Sequence, residues 1–190
     1  HIIEEYAKAI EKIGFDGIHM DTYGFPKSAY SYRSEKLYKL EEEFPSLIED
    51  TKKRLDKITE DNHLIFNNVG NWPVNTVACS SQDAIYIEVW DPYTRYDHIQ
   101  QIISDARREC KDKKPVILAA YLKPFMEDTQ ERAAYAAFIL TAVITSNGAY
   151  HLLNGEENGV LTQGYYVDHS FMAVATSEKM RSYYDFIVQY

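Results

Sequence analysis

The sequence predicts an α/β protein with a parallel sheet covered by helices, more specifically a partial (β/α)8 barrel comprising roughly the last five strands with their helices. Three observations point there. Helix-periodic and strand-periodic stretches alternate along the 190 residues with short connections, the pattern of parallel-sheet proteins. Neither a GxGxxG fingerprint nor a Walker loop is present, which turns the choice between a doubly wound sheet and a barrel towards the barrel. Two strands carry an acid at their C-terminal ends, where barrel sites are built. A complete barrel needs eight strands and about 250 residues. Residues 1–190 are therefore expected to be one domain fragment, the C-terminal part of a barrel.

The elements follow in order. Ile3, Tyr6, Ala7, Ile10 and Ile13 lie at helical spacing over residues 2–13, and Gly14 stops the run. "FDGIHMD" (15–21) reads as a strand, and 22–42 as a polar, Tyr-rich loop running into a charged stretch. A helix is expected over 45–60, with Pro45 near its start. "HLIFNNV" (63–69) is a strand, a short helix follows Pro73, and "AIYIEVW" (84–90) is the clearest strand of all. A helix over 96–111, a strand over 115–122 and an Ala-rich helix over 129–146 come next. That last helix is largely apolar all round, which predicts that it is well buried. A strand at 148–153, a Gly-rich loop and a helix near 178–190 complete the chain.

Composition excludes some functions. The net charge of -9 and pI near 5.1 oppose a nucleic-acid or anionic-membrane partner, because phosphates are repelled. No run of eighteen apolar residues exists to span a membrane. Cys79 and Cys110 form neither a CxxC nor a zinc spacing. Sixteen Tyr suit a sugar site, where a ring stacks on C–H groups and a hydroxyl bonds, but they equally suit cores and interfaces.

Side chains alternate faces along a strand. In 84–90, Ile85, Ile87 and Val89 share the aliphatic face, and Tyr86, Glu88 and Trp90 the other. In 15–21, Ile18 and Met20 are aliphatic, opposite Phe15, Gly17, His19 and Asp21. Asp21 and Glu88 would then lie on the first and third strands, on the face away from the helices. A retaining glycosidase uses two carboxyl groups about 5–5.5 Å apart, one attacking the sugar and one protonating the leaving oxygen. Glu88, flanked by Tyr86 and Trp90, has the apolar setting that favours a protonated acid; Asp21, beside Thr22 and Gly24, suits an ionised nucleophile. The competing reading makes each acid a loop cap or a salt-bridge partner.

Other residues enter the same reading. His19 can bond a sugar hydroxyl or hold Asp21, or be a satisfied core histidine. His-x-Asp also resembles half of a metal site, but His63, His98, His151 and His169 do not repeat it, so no metal and no cofactor is expected. Asn67 and Asn68 end a strand, with Trp72 close behind; amides and an indole suit sugar hydroxyls and a stacking floor, while loop capping competes. Tyr121 and Glu156 are further candidates for substrate binding, with Glu157, Tyr165 and Tyr166 behind them. Surface exposure is the alternative for the acids, and core packing for the tyrosines.

"GFDGIHMDTYG", "IYIEVW" and "NGEENGVLTQGYYVDHSFMA" with the closing "MRSYYDFIVQY" resemble glycoside hydrolase family 66, the endo-dextranases and cycloisomaltooligosaccharide glucanotransferases. The resemblance implies a (β/α)8 catalytic barrel acting with retention on α-1,6-glucan, such as dextran or isomaltooligosaccharides. The nucleophile of that family falls on Asp21 and its acid/base on Glu88. The resemblance also implies flanking β-sandwich domains and earlier barrel strands outside these residues, and an extracellular location. No large late insertion of the cyclising kind is present, which leans towards hydrolysis. Transfer to cyclic products and a non-catalytic glucan-binding barrel are the alternatives. Oligomeric state is not indicated.

Overall fold

In the computed structural model, the described residues are 1–21, 25–153, 157–164 and 170–189. They fall into two compact units, one of His1–Ile87 with Asp105–Val116 and one of Glu88–Ser104 with Ile117–Tyr190.

The first unit opens with helix α1 (Ile2–Ile13), which buries Ala7 and Ile10. Gly14 closes it with φ 83°, a left-handed conformation that costs glycine little, and its N–H caps the Ile10 carbonyl. Strand β1 (Gly17–Met20) pairs in parallel with β4 (His63–Val69), placing Gly17 opposite His63 and Met20 opposite Phe66. Strand β5 (Ala84–Glu88) follows β4 in the sheet order, after the single turn α3 (Val74–Val77). Met20, Leu64, Phe66 and Val77 pack with Phe44 and Ile48 of helix α2 (Leu40–Leu55) into one apolar core.

Two expectations for this unit are corrected. Residues 22–42 are not simply a loop: β2 (Ser28–Ser31) and β3 (Lys36–Lys39) form an antiparallel pair. The pair is largely exposed, with Ser34 Oγ 3.1 Å from Tyr38 Oη, so it lacks the apolar alternation by which strands are recognised. Helix α2 starts at Leu40, ahead of Pro45. Glu41, Glu42 and Glu43 sit in its first turn, where the helix dipole favours negative charge.

The second unit holds the start of α4 (Tyr96–Glu109), most of β6 (Val116–Ala119), the turn α5 (Pro124–Glu127), α6 (Gln130–Ser146), β7 (Tyr150–His151) and α7 (Val174–Gln189). β6 and β7 pair in parallel, with Leu118 opposite His151. Leu122, Phe125, Ala133, Ala137, Leu153, Val160, Met172 and Met180 form the core. Helix α6 buries Ala133, Ala137, Thr141 and Ile144 and leaves Tyr135 and Ile139 exposed. Its apolar outer face therefore does not report burial. Among the described residues, no helix is long and apolar enough to cross a membrane.

Candidate functional site

In the first unit the β1–β4 register decides which side chains meet. Met20 and Phe66 face the core together. Alternation then puts His19, Asp21 and Asn67 on the other side. Asn67 Nδ2 donates to Asp21 Oδ1 at 3.0 Å, with Asn67 buried and Asp21 exposed. The His19 ring meets the Tyr86 ring edge-on at 4.6 Å. Four residues singled out in the sequence are thus assembled.

Two neighbours are placed differently. Asn68 lies on the core side and is fully buried; its Nδ2 donates to the carbonyls of Tyr86 (2.8 Å) and Phe66 (3.2 Å). It ties β4 to β5 and is out of a ligand's reach. Trp72 packs against the apolar core beneath α2, its ring 5.8 Å from that of Phe44. Its Nε1 donates to Glu41 Oε2 at 3.0 Å, and Lys27 Nζ lies 4.5 Å from the indole centroid. Helix α2 thus supplies the partners of this indole.

In the second unit Glu88, at the end of β5, is only 5% exposed. A carboxyl so buried needs a partner, and Tyr121 Oη donates to Glu88 Oε1 at 2.5 Å. The backbone bond from Val89 N to Ala119 O (3.0 Å) sets the two segments side by side. Trp90 lies against Tyr121, ring centroids 5.5 Å apart, and its buried Nε1 has no acceptor among the described residues. Gly164 completes the surround. A Cβ there would lie 2.5 Å from Glu88 Oε1, 2.9 Å from Trp90 Cζ2 and 3.0 Å from Tyr121 Oη. Sequence reading missed Gly164, which has neither periodicity nor charge to mark it.

A cavity of about 620 Å³ adjoins this cluster, lined by Trp90, Tyr93, Arg95, Tyr121 and Lys123 over an apolar floor that includes Ile99 and Leu140. Aromatic faces with a few polar groups are what a small-molecule site presents. His151 takes no part in it: its Nε2 donates to the Ala120 carbonyl (3.0 Å) and its Nδ1 accepts from Thr141 Oγ1 (2.9 Å). Burial pushes its pKa below the usual histidine value, against the opposing pull of the Ala120 bond. Among the described residues, no group of three or more His, Cys, Asp or Glu gathers as metal ligands. Glu156, Tyr165 and Tyr166 lie outside the described residues.

Comparison with known proteins places this geometry in context. The profile of "Glycosyl hydrolase family 66" matches residues 1–190. A cycloisomaltooligosaccharide glucanotransferase of Niallia circulans is 30% identical over 157 residues, covering 78% of this chain and 16% of that protein. Another of the same name and organism is 30% identical over 128 residues, covering 64% and 13%. The crystal structure of a Paenibacillus sp. cycloisomaltooligosaccharide glucanotransferase complexed with cycloisomaltoheptaose matches with a TM-score of 0.60 and 28% identity, over 64% of this chain and 18% of that one. The chain thus spans less than a fifth of the length of these relatives.

Proposed function

Because the chain belongs to glycosyl hydrolase family 66, we propose that it is part of the catalytic (β/α)8 barrel of a retaining enzyme cleaving α-1,6-glucosidic bonds of dextran-like glucans. In this reading the Asp21 carboxylate attacks the anomeric carbon. As that C–O bond forms, the exocyclic C–O bond breaks, and its electron pair leaves with the oxygen that takes the Glu88 proton. Glu88, now ionised, then draws a proton from water as the water attacks the glycosyl–Asp21 ester, which frees the sugar and restores both acids.

The single observation that carries the reading is the state of Glu88: a buried carboxyl at a strand's C-terminal end, bonded by Tyr121 and bordered by Trp90. A carboxyl enclosed at a strand's C-terminal end and held by a phenol is placed to pass a proton to a leaving oxygen within hydrogen-bond reach. The exposed Asp21, held by Asn67, complements it as the group open to attack a substrate. A polymeric glucan does not cross a membrane, which supports an extracellular site of action.

The relatives are named glucanotransferases, and that favours a second reading, in which a glucan hydroxyl replaces water and the products are cyclic. The first half of the reaction is the same. Asp21→Ala and Glu88→Gln in the full-length protein are expected to lower dextran turnover by about a hundredfold or more; unchanged turnover would refute the assignment. Reducing-end release measured against cyclic product separates hydrolysis from transfer, because cyclic products have no reducing end. Dextran binding without either product would leave only a glucan-binding barrel.

A further inference from the structure

We propose that Tyr121 is a positioning residue that sets the Glu88 carboxyl for proton transfer, and that residue 164 is a glycine because this pair leaves no room for a side chain. The proposal rests on the reading of Glu88 as the acid/base.

The geometry comes from short, stiff connections. The Val89–Ala119 backbone bond fixes the spacing between the end of β5 and the segment after β6. Tyr121 has only two rotatable side-chain bonds, and Trp90 lies against its ring, so its hydroxyl is delivered to one place. That place is 2.5 Å from Glu88 Oε1. A donor on Oε1 holds the carboxyl in one orientation for proton transfer. Gly164 borders the same three side chains, and a methyl group there would fall within 3.0 Å of an atom on each. Side chains do not tolerate such distances, so a Cβ at 164 would push the carboxyl, the phenol or both out of register.

Two substrates of the full-length protein separate positioning from general structural damage. Dextran has a sugar leaving group that needs the proton. An α-isomaltosyl fluoride loses fluoride with little help from an acid. For Tyr121→Phe we expect kcat on dextran to fall about ten- to a hundredfold, KM to stay within about twofold, and turnover of the fluoride to stay within about threefold, since misplaced general acids lose part of a factor of 10²–10⁴. Gly164→Ala, in a connecting segment, should show the same selectivity, and the double variant should be no worse than the worse single one, as for two changes acting on one contact. Equal losses on both substrates, a loss confined to KM, no loss, or simple additivity would overturn the proposal. Glu88→Gln is the control that tells the two failures apart. If it shows the dextran-selective loss and Tyr121→Phe does not, Tyr121 alone is misassigned. If Glu88→Gln shows no such selectivity, the acid/base reading itself falls.

Discussion

Asn67 Nδ2 donates a hydrogen bond to Asp21 Oδ1 across 3.0 Å, from one strand to the residue just past the end of its parallel neighbour. Asn67 is buried and Asp21 exposed, so a fixed amide orients a carboxylate that solvent can reach.

That relationship makes a graded prediction for activity. A hydrogen bond to a charged group contributes about 1.5–3 kcal/mol, so Asn67→Ala should lower kcat on α-1,6-glucan about ten- to a hundredfold if the bond acts in the transition state. Asn67→Asp should lose more than Asn67→Ala, because it replaces a donor with a second carboxylate beside Asp21. Steady-state kinetics on the three proteins check the order. Equal activity in all three would mean that Asn67 serves the strand end and not the reaction.

His151 predicts a pH dependence of stability. Its folded-state pKa lies below the ordinary value near 6.5, with burial as the main cause. Above 6.5 the ring is neutral in both the folded and the unfolded chain, and its bonds to Ala120 and Thr141 contribute in full. As pH falls below 6.5 the unfolded chain takes up a proton first, so stability is lost down to the depressed folded value. The slope from one group is at most about 1.4 kcal/mol per pH unit. Chemical denaturation at pH 7.5 and 5.5 should show a smaller drop for His151→Gln than for the unsubstituted protein. Equal drops would place the acid sensitivity elsewhere.

The contrast between Asn67 and Trp72 shows how far the sequence can be read. Asn67, Asp21 and His19 follow from alternation and register, which need only one strand and its neighbour, so their shared side was legible. Trp72 lies close to Asn67 in sequence but takes its partners from Phe44 and Glu41, some thirty residues earlier. No local pattern encodes that choice. Asn68 parts from Asn67 for a simpler reason: on a strand, the next residue faces the other way. Glu88 and Tyr121 could each be picked out as strand-end residues, but the bond between them depends on Val89 lying beside Ala119, a long-range pairing that no local pattern encodes. Gly164 was illegible because a glycine chosen for what it lacks leaves no periodic trace. Strand β4 was read over its full 63–69 span, since an apolar run carries its own signal. The β2–β3 pair, polar and exposed, does not.

Lys114 predicts a stability effect away from the site. Its Nζ donates to the Ala78 carbonyl at 3.1 Å and to the Ser80 carbonyl, at the chain reversal after α3. Burial pushes its pKa below the usual lysine value. Lys114→Met keeps the stem and removes the donor, leaving two acceptors to find water. The expected cost is about 1–3 kcal/mol, the range for a buried group left unsatisfied, and denaturant titration measures it. A neutral or stabilising result would mean that the expense of burying the ammonium equals or exceeds what its bonds return.

Gly14 isolates a backbone effect from packing. It ends α1 with φ 83°, its N–H bonds Ile10 O at 3.1 Å, and an added Cβ would have nothing within 4 Å. Gly14→Ala therefore meets no clash, and its cost is the left-handed conformation alone, about 1–2 kcal/mol. Part of that is offset because alanine also restricts the unfolded chain, by about 0.4–1 kcal/mol. The net expectation is a loss of about 1 kcal/mol, with Gly14→Asn less affected because asparagine tolerates this region better. A loss several times larger in denaturant titration would reveal a contact in the native protein that open space at Gly14 does not allow for. No loss would mean that the helix ends equally well without a left-handed residue.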